Sequence, residues 1–269
     1  MNKLRSSIRQ LCAITAIVTL VAFFILAVYV RSERSFEDYV SIPIRQRPSD
    51  WFSHVKIGII GDSWVEGKKL DVSVRQLLAA KGLNADVVSS GHSGVKSRQL
   101  YRDLFADSTT PYSSNSLLMD DDLDYLVVVT GVNDTAGYIG RDFYAHHMLG
   151  IMKAAQDRGV ETLCIEVPDY GIDSLPFTSV SSWGKQLVFR YLFDGGKVNV
   201  IEDYRSELLA RLGTLSKPVT VISFDPKIWH YEFNSKLYIN PSHLNQEGSF
   251  ALSSLIADEL IALHNKTVQ

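Results

Sequence analysis

The chain has 269 residues, 46% of them hydrophobic, with 27 basic and 30 acidic side chains and a net charge of −3. That length supports one good-sized core, and hence one catalytic or binding domain. Residues 1–50 hold 7 basic and 4 acidic side chains, so the remainder carries 20 basic against 26 acidic. An acidic domain without a Lys/Arg stripe has no electrostatic footprint for nucleic acid, which excludes that class of partner.

Residues 1–10 carry Lys3, Arg5 and Arg9 and are expected on the cytoplasmic side. Residues 11–30 form an uncharged apolar run of twenty, long enough to cross a hydrocarbon core of about 30 Å as a helix. No small-x-small cleavage site follows, because Arg31-Ser32-Glu33-Arg34 comes directly after the run. The segment reads as an uncleaved signal anchor that holds the rest of the chain outside the cytoplasm, periplasmic or at the cell surface, although Arg31 and Arg34 weaken the charge asymmetry. Residues 31–50, with Pro43 and Pro48, read as a linker or a strap lying on the domain, which then occupies residues 51–269. Cys12 and Cys164 read as buried, unpaired thiols, since a bridge between them would join the membrane to the core.

The next stretch alternates regularly. Residues 55–60 form an apolar strand, and residues 70–82 have helical periodicity ending at Gly82. A short strand at 85–89 precedes a helix over 97–105, and a polar excursion fills 107–122. Strands at 125–130 and 162–167 flank a helix over 141–158. Residues 174–212 read as mainly helical, with breaks near Gly184 and at Gly195-Gly196. A fifth strand at 219–224 and a final helix over 248–264 complete the chain, the helix burying Phe250, Leu252, Leu255, Ile256, Leu260 and Leu263. Short apolar strands alternating with helices predict a five-stranded parallel sheet covered on both faces, a three-layer α/β/α sandwich.

The polar residues that break this pattern stand where strands end, at the edge where α/β proteins place their chemistry. A serine needs a base within reach and donors for an oxyanion before it becomes a nucleophile. Ser63 follows the first strand in Gly61-Asp62-Ser63. Gly94 closes Ser90-Gly91-His92-Ser93-Gly94 after the second, Asn133 lies in Gly131-Val132-Asn133-Asp134 after the third, and His243 ends Asn240-Pro241-Ser242-His243. As a set these blocks resemble the SGNH/GDSL hydrolase superfamily, over most of residues 55–264. The resemblance implies a flavodoxin-like sandwich and a serine esterase that needs neither metal nor organic cofactor. In it Ser63 is the nucleophile, His243 the base, and the Ser63 and Gly94 N–H groups with the Asn133 amide form the oxyanion hole.

One position departs from the family pattern. The last block of such enzymes usually reads Asp-x-x-His, and here Asn240 stands in the acid's place. In a Ser-His-Asp triad, changing acid to amide can cost about 10,000-fold, mainly by favouring the wrong imidazole tautomer, yet Cys-His-Asn sites are functional. His243 could therefore work in a dyad oriented by Asn240 or a backbone carbonyl, Asp225 or Glu247 could substitute, or the site could be impaired.

Blander readings stand beside these. Ser63 could cap a helix, Asn133 could be a turn residue or head the glycosylation sequon Asn133-Asp134-Thr135, and His243 could be a surface residue before the last helix. Asp62 reads as a local acceptor holding the nucleophile turn, and His92 as a pocket-lining residue or a spectator. His146 and His147 point about 100° apart on a helix, so they do not share a metal. Asp120-Asp121-Asp122 reads as a solvated turn. Trp229, Tyr231, Phe233 and Tyr238 are either packing or a substrate wall.

The leading expectation is an extracytoplasmic esterase removing small acyl groups, O-acetyl above all, from a carbohydrate. The alternatives are an O-acyltransferase working with a multi-span membrane partner, and a non-catalytic carbohydrate-binding or assembly protein.

Overall fold

The computed structural model describes residues 2–43, 55–119, 123–176 and 179–268. It divides into two compact units, residues 1–37 and residues 38–269. In the first unit, α1 spans Asn2–Glu33. Its stretch Gln10–Glu33 is 24 residues long with a mean hydropathy of 2.9 in its most apolar window, sufficient to cross a membrane. The helix runs three residues past the expected end of the span at Val30, because Arg31-Ser32-Glu33 contains no breaker.

The second unit is built on a parallel sheet of β1 (Val55–Gly61), β2 (Ala85–Gly91), β3 (Tyr125–Val129), β4 (Glu161–Ile165) and β5 (Thr220–Ile222), in the order β2-β1-β3-β4-β5. All five predicted strands are present. β1 and β3 are buried along nearly their whole length, as strands covered on both faces must be. Helices α2 (Leu70–Ala80) and α10 (Gln246–Val268) pack together on one face, and α3 (Ser97–Asp103), α6 (Arg141–Asp157) and α8 (Ile201–Leu212) on the other. This is the three-layer sandwich, with strand order reversing between β1 and β3.

Register brings the polar blocks together. Gly61 is opposite Gly91 on β2 and Val129 on β3, so the three strands end level. The segments that leave these strands therefore emerge at one edge, at the switch point.

Several details differ from the sequence expectations. Residues 38–42, expected in the linker, belong to the second unit. The Val40 N–H donates to Tyr101 Oη at 2.8 Å, that hydroxyl donates to the Asp38 carbonyl at 3.0 Å, and Ile42 is buried. Residues 44–50 of the expected linker lie outside the described residues. So do Asp120-Asp121-Asp122, while α4 (Asn115–Met119) supplies a helical turn inside the polar excursion. Helix α7 (Val180–Phe193) passes through Gly184 without a break, since a single glycine weakens a helix only by about 1 kcal/mol. The stop comes at Gly195 and Gly196, both with positive φ. In α10, Leu252, Ile256 and Leu260 are buried as expected, but Phe250 is 57% exposed.

Candidate active site

The turn carrying Ser63 is held by its neighbours. Gly61 leaves β1 against the Val129 carbonyl, where a Cβ would collide. The Asp62 N–H continues the sheet by donating to that carbonyl at 3.1 Å. Asp62 Oδ1 accepts the Trp64 N–H at 2.9 Å, the local role read for it from the sequence. Complete burial pushes the Asp62 carboxyl up to about 7, opposed by the Trp64 hydrogen bond and reinforced by the charge of Asp134. Ser63 itself is 7% exposed and caps no helix, because α2 begins only at Leu70. Its Oγ makes no hydrogen bond among the described residues, to His243 or any other group.

The second and third blocks are joined to this turn and to each other. His92 N–H donates to the Gly61 carbonyl at 3.0 Å. Gly91 and Gly94 serve different purposes. A Cβ on Gly91 would strike the Glu66 backbone, whereas Gly94 has open space around it and is required by its φ of +74°. On α5 (Val132–Ala136), Asn133 is half-buried and its Nδ2 donates to the Val95 carbonyl at 3.0 Å, which holds the amide beside the Gly94 turn. Asp134, buried and pushed up to about 6 by desolvation, accepts both the backbone N–H and the hydroxyl of Ser97. Among the described residues, the backbone N–H groups of Ser63 and Gly94 have no acceptor. Two unspent donors at one sheet edge, beside a fixed amide, can receive an anionic oxygen.

The histidine enters on a small antiparallel hairpin absent from the sequence reading, β6 (Tyr238–Asn240) and β7 (His243–Leu244). Asn240 and His243 face each other across its two-residue turn, and Asn240 Oδ1 lies 2.9 Å from His243 Nδ1. The same oxygen accepts the Ser242 N–H at 3.1 Å. A backbone N–H can only donate, so the atom shared by both contacts is the amide oxygen. It follows that Nδ1 carries the proton and Nε2 presents a lone pair, the tautomer a general base needs. Ser242 Oγ lies 3.1 Å from Nδ1 as a second partner.

Two contacts fasten this hairpin to the serine turn on either side of His243. Trp64 Nε1 donates to the Ser242 carbonyl at 2.8 Å, and Lys68 Nζ donates to the Leu244 carbonyl at 2.8 Å. Burial, and then the Lys68 charge, lower the His243 pKa below its ordinary value, which keeps the imidazole neutral and able to accept a proton. Neither proposed substitute acid reaches the ring. Asp225 caps α9 (Pro226–Trp229) by accepting the Lys227 N–H at 2.9 Å, and Glu247 lies exposed in the first turn of α10.

The remaining candidates have structural placements. Trp229 and Tyr238 are buried with Phe224 and Trp64 in an aromatic cluster behind the serine turn, with centroid separations of 4.8 Å for Phe224–Trp229 and 6.3 Å for Trp64–Tyr238. Tyr231 packs on Tyr238, and Phe233 is exposed and stacked on His230. His92 stacks on Tyr112, with Nδ1 3.4 Å from Asp103. His147 is buried against the Phe143 carbonyl, while His146 stacks on Tyr39. Cys12 is exposed on α1, and Cys164 is buried with its thiol pushed up to about 12. Among the described residues, no group of three His, Cys, Asp or Glu side chains could hold a metal ion.

No protein-family model matches the sequence, and no curated protein does. Solved structures do. The chain is similar to a GDSL-like lipase from Bacteroides thetaiotaomicron, at 14% identity over 82% of this chain and 93% of that one, with a TM-score of 0.54. This is the SGNH/GDSL hydrolase fold. A carbohydrate acetylesterase from Sinorhizobium meliloti matches at 17% identity over 78% of this chain and 99% of that one, with a TM-score of 0.50. An acetylxylan esterase from Geobacillus stearothermophilus matches at 16% identity over 76% and 93%, also with a TM-score of 0.50. Within the SGNH/GDSL fold of this chain, Trp64, Lys68 and Ser242 were not singled out by sequence. Trp64 adjoins the serine, but nothing in the sequence pairs it with a residue 178 positions away.

Proposed function

We propose that the chain is a serine esterase removing small acyl groups, O-acetyl foremost, with Ser63 as nucleophile and His243 as base. The observation that carries this reading is the pair of unspent N–H donors at Ser63 and Gly94, at the sheet edge where Asn240 presets the His243 tautomer. On substrate binding, Ser63 Oγ attacks the ester carbonyl carbon and gives its proton to His243 Nε2. The carbonyl oxygen, now negative, takes the Ser63 and Gly94 N–H groups and the second N–H of the Asn133 amide. Collapse of this intermediate breaks the bond to the alcohol, which leaves with the proton from His243. Water, deprotonated by the same nitrogen, then releases the acid from Ser63. The serine-to-histidine hydrogen bond forms as the ester fills the site, because catalytic hydrogen bonds often tighten only in the substrate complex.

Asn240 provides orientation without charge. An amide oxygen directs Nδ1–H as a carboxylate would, but offers the imidazolium no counter-charge, so turnover is slower than in an acid-bearing triad. The apolar segment Gln10–Glu33, preceded by Lys3, Arg5 and Arg9, supports an extracytoplasmic domain. The two acetylesterases of shared fold support an acetylated carbohydrate as substrate.

The test is hydrolysis of an aryl acetate and of O-acetylated oligosaccharides by the full-length protein in detergent. Ser63→Ala and His243→Ala are each expected to lower kcat/KM by about 1,000-fold or more. Hydrolysis that is absent in the wild type, or indifferent to Ser63→Ala, would refute the assignment.

A further inference from the structure

We propose that the groove between α7 and the segment following Asn133 is the subsite for the alcohol half of the substrate, and that it holds a neutral sugar ring. The inference deepens the esterase reading and rests on it for the link to Ser63.

The cavity, of about 120 Å³, is lined by Tyr138, Ile172, Asp173, Trp183, Gln186 and Arg190 among others. Its walls belong to the segments that hold the site. Tyr138 follows α5, which carries Asn133, and its hydroxyl donates to the Val198 carbonyl at 3.0 Å, fixing that wall. Ile172 and Asp173 follow Gly171, whose N–H donates to the Pro241 carbonyl at 2.8 Å beside Asn240. Tyr170 Oη, one residue earlier, lies 3.2 Å from the Val132 carbonyl. A group seated here is thus flanked by the segment that continues from Asn133 and by the segment that hydrogen-bonds the loop of the base.

The chemistry of the lining selects the occupant. Trp183 is 46% exposed on a helix whose one fully buried residue is Phe189, and it presents an apolar plate to the groove. Next to it stand a donor-only guanidinium, an acceptor carboxylate and an amide that does both. Arg190 Nε has no acceptor among the described residues, while the same guanidinium interacts with the Tyr138 hydroxyl. An acyl chain would offer nothing to Arg190 Nε or to the Asp173 carboxylate at the rim, and an anion would face Asp173. A pyranose ring satisfies all of them, with a C–H face for the indole and hydroxyls that donate to Asp173 and accept from Arg190.

The experiment compares full-length wild type with Trp183→Ala, Trp183→Phe and Arg190→Gln, and uses Leu192→Ala on the exposed side of α7 as control. Two readouts are taken: the ratio of kcat/KM on O-acetylated β-1,4-linked oligosaccharides to that on an aryl acetate, and calorimetric binding of the deacetylated oligosaccharides. Trp183→Ala should lower both the ratio and the affinity by about tenfold, with Trp183→Phe restoring most of the loss and Leu192→Ala at wild-type values. The subsite is overturned if no oligosaccharide binds the wild type, or if Trp183→Ala leaves both readouts unchanged. The binding readout needs no turnover, so it fails or succeeds separately from the esterase assignment.

Discussion

Asn240→Asp is the most informative substitution, because it restores the acid of the family pattern at an atom already in contact. In the wild type, Asn240 Oδ1 accepts from His243 Nδ1 at 2.9 Å and from Ser242 N–H at 3.1 Å. A carboxylate in the same place keeps both contacts and makes the first charge-assisted whenever the ring is protonated, as it is in both transition states. Hydrogen bonds to charged groups are worth about 1.5–3 kcal/mol against 0.5–1.5 for neutral ones. Asn240 is exposed, so solvent screening cuts the gain to about 1 to 1.5 kcal/mol, or roughly five- to twelvefold in plateau kcat/KM. The same charge favours imidazolium in the resting enzyme. Wild-type His243 titrates below the ordinary histidine value, so its acid limb lies at low pH, and the variant's limb moves to higher pH. The two profiles of kcat/KM against pH therefore separate on the plateau, where the variant is faster, and converge in acid, where the raised pKa offsets the gain. Stopped-flow or plate assays with an aryl acetate from pH 4 to 9 measure both. An unmoved acid limb, or a variant slower at every pH, would refute the idea that Asn240 acts on the base.

Other consequences are as specific. Lys68→Met removes both the clasp on the Leu244 carbonyl and a charge that opposes imidazolium, so kcat/KM should fall while the acid limb moves to higher pH; a fall without that movement would restrict Lys68 to packing. Gly94→Ala meets no atoms but must adopt φ +74°, at a cost of about 1–2 kcal/mol, so it should reduce turnover more than thermal stability. Gly91→Ala collides with the Glu66 backbone and should reduce stability first, and equal melting temperatures for the two variants would contradict this division. Burial keeps Asp62 protonated up to about 7 when folded, against 3.8 unfolded, so the folded state binds more protons across that window and stability falls as pH rises through it. Asp62→Asn cannot ionise and should flatten the dependence, leaving the smaller decline that Asp134 gives up to about 6; urea unfolding at pH 4, 5.5 and 7 would detect a slope that persists unchanged.

The sheet was legible because each strand is a compact apolar run ended by glycine or polar residues, and the three site segments were legible because they sit at those ends. Residues 55–60, 85–89 and 125–130 announced themselves in this way. Tertiary contacts account for the remainder. The hairpin of Tyr238–Asn240 and His243–Leu244 is too short for periodicity to show, yet it sets the Asn240–His243 contact. Trp64–Ser242 and Lys68–Leu244 join residues 178 and 176 positions apart, with no local signal at either end. Phe250 is apolar but lies about 90° round α10 from the face that buries Ser249, Leu252, Ile256 and Leu260, and is exposed. Residues 38–42 look like linker by composition and become part of the domain only through partners such as Tyr101 and His146.

The central claim is that Ser63 is a nucleophile activated by His243. Its most direct test is covalent: treat the full-length protein with a fluorophosphonate, digest it, and locate the adduct by mass spectrometry. The adduct should lie on Ser63, form faster as pH rises through the His243 titration, and vanish in Ser63→Ala while slowing strongly in His243→Ala. An unlabelled wild type, or labelling that survives Ser63→Ala, would contradict the account.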